Sequence, residues 1–207
     1  MDKRRIMILA PHTDDAEFGC GGTISKFINQ GKEVFVITFS IARQSVPKGV
    51  DEKINLYKFQ QSMNLLGVNF YVIYDCPVRN FFKYRQNILE VLINWYNKYN
   101  PDLVFMPSTT DTHQDHKVIS AEGYRAFKKV SILGYEIPWN NLTFSTNVFS
   151  ILEQNHIDKK IQALSNYITQ LGKSYIDKSF IKNWARFRGG LIDVQYAEVF
   201  ESIRWII

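Results

Sequence analysis

A chain of 207 residues with a formal net charge of +5 is long enough for one domain with a sizeable core, and its apolar and charged fractions are those of ordinary soluble proteins. No stretch approaches the ~20 apolar residues of a membrane span, and the apolar run behind the basic start Met1-Asp2-Lys3-Arg4-Arg5 is too short for a signal peptide. The lysines are scattered rather than striped, which argues against nucleic acid as a partner, while a mildly basic surface favours an anionic substrate. Cys20 and Cys76 suggest no disulfide framework and fit a reduced, cytoplasmic setting.

In chain order, residues 6–9 read as a buried strand and 16–30 as a helix. That helix carries Gly19, Gly21 and Gly22, each costing about 1 kcal/mol against alanine, so a neighbour is expected to approach its backbone closely. A strand at 33–39 leads into a polar loop at 41–50 with Pro47 and Gly49. The helix at 51–66 stops at Gly67 and is followed by a strand at 68–74 and a loop at 75–82. The helix at 84–99 stops before Pro101, and a strand at 102–106 and a helix at 117–129 follow. Strand and helix alternate, which predicts a parallel sheet with right-handed crossovers. Beyond Val130 the pattern changes: 131–137 and 142–152 look extended, 158–171 and 176–187 look helical, and 196–207 is ambiguous between strand and helix. The expected fold class is therefore α/β. A Rossmann-like, mostly parallel sheet would have helices on both faces and a C-terminal α+β extension packed onto it, partly roofing the site. Residues 1–207 are read as a single domain.

Two clusters carry the chemistry. Ala10-Pro11-His12-Thr13-Asp14-Asp15-Ala16-Glu17 lies at the end of the first strand, and Thr112-His113-Gln114-Asp115-His116 follows the strand at 102–106. In open α/β sheets ligands bind beyond the carboxyl ends of the strands, so the two clusters would face each other. Taken singly, each has a plainer explanation. Asp14 with Glu17 has the spacing of a helix cap, and Asp111 or Thr112 could cap the helix behind the histidines. Together they supply a hydrolytic metal site: His12, Asp15 and His116 as two imidazoles and one carboxylate, with a position left for water. Asp14 is then a spare carboxylate that can take a proton from that water. His113 is a spare imidazole near the developing oxyanion or leaving group, and Asp115 could orient His113 from behind.

The run Pro11-His12-Thr13-Asp14-Asp15 followed by Glu17-Phe18-Gly19-Cys20-Gly21-Gly22 resembles the LmbE-like, or PIG-L, family of zinc-dependent N-deacetylases. His113-Gln114-Asp115-His116 resembles that family's second motif. Tyr135-Glu136-Ile137-Pro138, Lys160 with Ala163-Leu164, residues 186–189, and Tyr196-Ala197-Glu198-Val199-Phe200 with Arg204 are similar to one bacterial branch. The resemblance implies one Zn2+ per chain on His12, Asp15 and His116, Asp14 as general base, and His113 stabilising charge or acting as acid with Asp115 behind it. It also implies that Tyr196 polarises the substrate carbonyl. Thr13 stands where the family has proline, the loop at Ser40-Ile41-Ala42-Arg43 lacks the usual glycine–acid pair, and the helix at 51–66 lacks an arginine–glutamate pair. Those departures bear on substrate identity rather than on the metal.

Arg43 and Arg79 lie on loops at the sheet end, where they could touch substrate. Cys20 reads as a packed residue, His156 as solvated, and Trp139, Trp184 and Trp205 as packing. The resulting expectation is a cytoplasmic hydrolase that removes an N-acyl group, foremost N-acetyl, from an amino sugar, nucleotide sugar or glycoconjugate. It has no nucleic-acid partner and no membrane span, and a homo-oligomer is left open. Two alternatives stand beside it. The same two histidines and carboxylate describe a non-haem iron site, and a non-catalytic acyl-sugar binder would use the same cavity. Asp14 argues against both, since neither needs a base.

Overall fold

A computed structural model describes residues 4–167 and 177–207. Its strands are β1 (Arg5–His12), β2 (Glu33–Ser40), β3 (Phe70–Ile73), β4 (Leu103–Pro107), β5 (Ser131–Tyr135), β6 (Val148–Leu152) and β7 (Tyr196–Arg204). Its helices are α1 (Asp15–Asn29), α2 (Ile54–Leu66), α3 (Arg85–Tyr99), α4 (Gln114–Ala126), α5 (Gln154–Ser165) and α6 (Lys178–Gly190). The expected helical stretch at 168–171 and residue 176 fall outside the described residues.

The seven strands form one sheet in the order β3-β2-β1-β4-β5-β7-β6. The first five pair in parallel, and β7 runs antiparallel to both β5 and β6. The fold is thus the expected Rossmann-like, mostly parallel α/β sheet. Strands β1 and β4 are neighbours whose chains continue to opposite sides, β1 toward β2 and β4 toward β5. The crevice where strand order reverses is the usual ligand site of such sheets.

Both faces of the sheet are covered. Ile6, Ile8, Val36 and Phe105 join Phe18, Phe59, Met63, Ile161 and Ile181 in one core beneath α1, α2, α5 and α6. Met7, Leu9, Phe35 and Val104 join Ile88, Leu92, Val118 and Ile119 in the other, beneath α3 and α4. Because β1 alternates its side chains between two apolar layers, it reads as a continuous apolar run.

The glycines of α1 do what their cost suggested. A Cβ at Gly19 would stand 2.4 Å from the Tyr135 ring, and one at Gly22 would stand 2.5 Å from Leu152 Cδ1. The helix that opens the site is thereby pressed against β5 and β6. Lys160 of α5 locks the same helix from outside: its Nζ donates to Glu198 Oε1 at 2.7 Å and to the Phe18 carbonyl.

The C-terminal third resolves what the local pattern left open. In the ambiguous segment at 196–207, Tyr196–Arg204 form a strand, β7, which completes hydrogen-bond ladders on both edges. This part also extends the sheet and covers one face of it. Of this part, Trp139 and Asn140 line the cavity above the strand ends, and among the described residues none beyond Asn140 does. No helix among the described residues is long and apolar enough to cross a membrane.

Candidate metal centre

β1 and β4 end side by side and deliver the two clusters to one cavity of about 410 Å3, whose wall includes His12, Asp14, Asp15, His113 and His116. The turn after β1 is tight. The His12 backbone N–H donates to Asp15 Oδ2 at 2.8 Å, which folds the Asp15 carboxylate back over the strand end. Asp14 occupies the position before α1, but its side chain makes no capping bond to the helix. The capping explanation of Asp14 and Glu17 therefore does not describe this turn.

Three donor atoms converge. Asp15 Oδ2 lies 3.2 Å from His12 Nδ1 and 3.2 Å from His116 Nε2. Ligand atoms of a tetrahedral ion with 2.0–2.1 Å bonds are about 3.3 Å apart, so the spacing suits a small divalent cation. Each imidazole is held from behind by a carboxylate. His12 Nε2 lies 3.1 Å from Asp115 Oδ2, and His116 Nδ1 lies 2.7 Å from Asp111 Oδ2. A proton on each of those nitrogens leaves a lone pair on His12 Nδ1 and on His116 Nε2, the two atoms that face Asp15. A second donor group, His12, His113 and Asp115, also lies within reach of a metal. It suits one less well, because Asp115 already accepts from the backbone N–H groups of Arg79 and Phe81.

The electrostatics agree with the donor count. Burial disfavours a charged His116, yet the charge of Asp15 and the bond to Asp111 hold its pKa up at about 10. Burial also opposes charge on His12, and bonds to Asp115 and Asp15 outweigh it, giving about 9. Asp15 is buried too, but the neighbouring His116 and His12 hold it well below the carboxylate range. Buried carboxylates that would draw protons onto two imidazoles offer the same attraction to a cation.

His113 behaves differently. Burial, then the proximity of His116 and His12, pushes it down to about 4. Its Nδ1 accepts the Asp115 backbone N–H at 3.2 Å, so it caps α4 and is a neutral ring protonated at Nε2. This corrects one expectation. The Asp115 side chain does not orient His113; it turns toward His12 and the loop at Arg79, and only its backbone meets His113.

Tyr196 is a second correction. It does not line the cavity. β7 lies outside β5, where the Tyr196 ring is buried in the core shared with α5 and α6, and its hydroxyl donates to Gln154 Oε1 at 2.8 Å. Two smaller readings also change. His156 is buried, and its Nδ1 accepts the Glu153 backbone N–H in a capping box at the start of α5. Trp139 is 43% exposed on the cavity wall, its ring edge-on to Phe18 of α1 at 5.0 Å, so it is more than core packing.

Asp111 was legible only as a helix cap. It is fully buried and bonds both His116 Nδ1 and the His113 backbone N–H. An acid five residues before the second histidine, on the same loop, was the available signal. Asp111→Asn keeps the shape and removes the charge behind His116. Metal affinity, read by competition with a chelator, should fall about ten- to a hundredfold. An unchanged affinity would make Asp111 a loop anchor only.

Glu17 is the other buried acid near the turn. Burial first, and then the charge of Asp14, push its pKa up to about 8. The Tyr167 hydroxyl donates toward Glu17 Oε1 at 2.6 Å and toward the Thr13 carbonyl. One hydroxyl hydrogen cannot serve two acceptors, so a protonated Glu17 satisfies the group. The folded state then holds a proton that the unfolded chain releases near pH 4.5. Glu17 thus costs stability progressively from about pH 4.5 to 8, by up to about 1.4 kcal/mol per pH unit. Glu17→Gln should match wild type at pH 4 and melt at a higher temperature at pH 8. Parallel melting curves for the two proteins at both pH values would show that Glu17 is ionised in the fold.

The chain also matches known proteins over much of its length. The family model described as GlcNAc-PI de-N-acetylase, PIG-L, matches residues 7–127. An uncharacterised deacetylase, YaiS, of Escherichia coli K12 is 25% identical over 175 residues, 80% of this chain and 91% of that protein. A diacetylchitobiose deacetylase of Thermococcus kodakarensis KOD1 is 22% identical over 138 residues, 64% of this chain and 51% of that protein. Among solved structures, a 4-carboxy-2-hydroxymuconate hydratase of Pseudomonas putida KT2440 superimposes with a TM-score of 0.80 at 17% identity, covering 99% of this chain and 98% of that one. The shared fold therefore does not by itself choose the reaction. The family match spans more than half of the chain and includes both clusters, and on that ground the chain belongs to the PIG-L, or LmbE-like, family.

Proposed function

We propose that this protein is a metal-dependent N-deacetylase that hydrolyses the N-acyl, foremost N-acetyl, group of an amino sugar or sugar conjugate in the cytoplasm. The observation that carries the proposal is a half-buried carboxylate, Asp14, on the wall of the cavity that also holds the His12–Asp15–His116 donor set. The family description and the diacetylchitobiose deacetylase supply the substrate class.

His12 Nδ1, Asp15 Oδ2 and His116 Nε2 would hold the metal, one Zn2+ per chain. When bound, it lowers the pKa of a water to about 7 and polarises a carbonyl. Asp14 takes a proton from the attacking water and passes it to the departing amine as the carbon–nitrogen bond breaks. His113, protonated at Nε2 and kept neutral, donates to the oxygen on which charge develops. Asp115 and Asp111 keep His12 and His116 in their working tautomers. Two histidines and a carboxylate also suit iron, but Asp14 next to them favours hydrolysis over oxygen chemistry.

The test is a mass-spectrometric screen of N-acetylated monosaccharides, disaccharides, sugar phosphates and nucleotide sugars for loss of an acetyl group. The expected result is acetate release from at least one of them, abolished by a chelator and restored by zinc. Intact acetyl groups throughout, with zinc-loaded protein, would overturn the assignment.

A further inference from the structure

Arg79 stands on the same cavity wall in an unusual state. It lies between β3 and the 3-10 turn Phe81–Tyr84, with a φ of 64°, a left-handed conformation that a glycine would adopt without strain. The backbone is held there from both sides. Its N–H donates to Asp115 Oδ2 at 2.6 Å, and its carbonyl accepts from Gln114 Nε2 at 3.0 Å. The same Asp115 oxygen contacts His12 Nε2, so the position of Arg79 is registered to a metal-ligand candidate through one shared atom.

The guanidinium is exposed and belongs to the one arginine or lysine among the described residues lining this cavity. It forms no ion pair or side-chain hydrogen bond with another described residue. Arg43, the other arginine at this sheet end, is tied up: its Nε donates to Asp75 Oδ2 at 2.6 Å. The cavity-facing residue of α2 is the neutral Asn55, bonded to the Ile41 carbonyl. Among the described residues the charge of Arg79 is left without a counterpart. A planar guanidinium presented on a strained, doubly anchored backbone suits bidentate capture of an oxyanion.

We propose that Arg79 selects the substrate through an anionic group, so that the enzyme acts on an amino sugar bearing a phosphate or carboxylate near its N-acyl group. This rests on the deacetylase reading. The test compares kcat/KM for neutral N-acetylglucosamine and N,N'-diacetylchitobiose with that for N-acetylglucosamine 1-phosphate, the 6-phosphate and N-acetylmuramic acid. The phosphate and carboxylate arms identify which anion is taken. Wild type should prefer at least one anionic compound by roughly ten- to a hundredfold, and that preference should weaken with salt. Arg79→Gln should bring the anionic-to-neutral ratio close to one, mainly through KM, and Arg79→Lys should retain part of it. Neutral sugars turned over as well as charged ones, or a ratio unchanged in Arg79→Gln, would overturn the proposal and leave deacetylation standing. If no compound is turned over, calorimetric binding of the same set to zinc-loaded protein decides. Tighter binding of the anionic sugars that Arg79→Gln abolishes upholds the anion site while deacetylation falls; equal or absent binding removes the anion site.

Discussion

Asp14→Asn should lower kcat by about a hundred- to ten-thousandfold, the range of a lost general base, while the metal content stays full. The asparagine has the same shape and sits at the same place before α1, where the aspartate makes no side-chain capping bond. Its amide cannot take a proton at neutral pH, so the effect falls on the chemical step. The loss should appear in kcat and kcat/KM together, because the group acts in the transition state. Metal analysis beside kinetics separates the alternatives. Normal turnover at full metal would remove Asp14 from proton transfer. Loss of metal would make Asp14 a ligand instead.

His116→Ala is expected to lose the metal, by a larger factor than the ten- to hundredfold expected for Asp111→Asn. The substitution removes the Nε2 that lies 3.2 Å from Asp15 Oδ2. It also leaves Asp111, fully buried, with the His113 backbone N–H as a remaining partner. A buried carboxylate stripped of its main partner is costly, about 3–5 kcal/mol where a buried pair is broken. A lower melting temperature should therefore accompany the metal loss. The two effects can be told apart with excess zinc, which restores metal only where the donors persist. Full metal content in His116→Ala at stoichiometric zinc would take His116 out of the site and leave the second donor group, His12, His113 and Asp115, to be tested.

Much of the fold is visible in local pattern. The apolar runs that became β1, β2 and β4 are short, nearly continuous in Ile, Leu, Val, Met and Phe, and punctuated by helices with one apolar face. Gly67, at φ 81°, ends α2 where the glycine signal put it. The Gly19, Gly21 and Gly22 run signalled close packing, and Tyr135, Lys160 and Leu152 are what packs. The C-terminal third was less legible. β6 is half the length of its extended-looking stretch, and β7 is buried over its first five residues and half-buried over its last four, so no in-out alternation marks it.

Which chemistry-bearing residues stand at the ends of β1 and β4 could be read from local pattern. That is because strand and helix periods are local, and a parallel sheet sends every strand end to one side. Tertiary structure alone decided which atoms face which. Asp115 turns to His12, Asp111 to His116, and Tyr196 to Gln154. Two of these pairs join residues 103 and 42 positions apart. The third, only five apart, depends on how the loop after β4 is pinned against Asn141 of the following segment. Partner choice at that level is set by strand order, by the helices that cover each face and by the rotamers their packing allows. A carboxylate two residues from a histidine in sequence therefore ends up serving a histidine more than a hundred residues away.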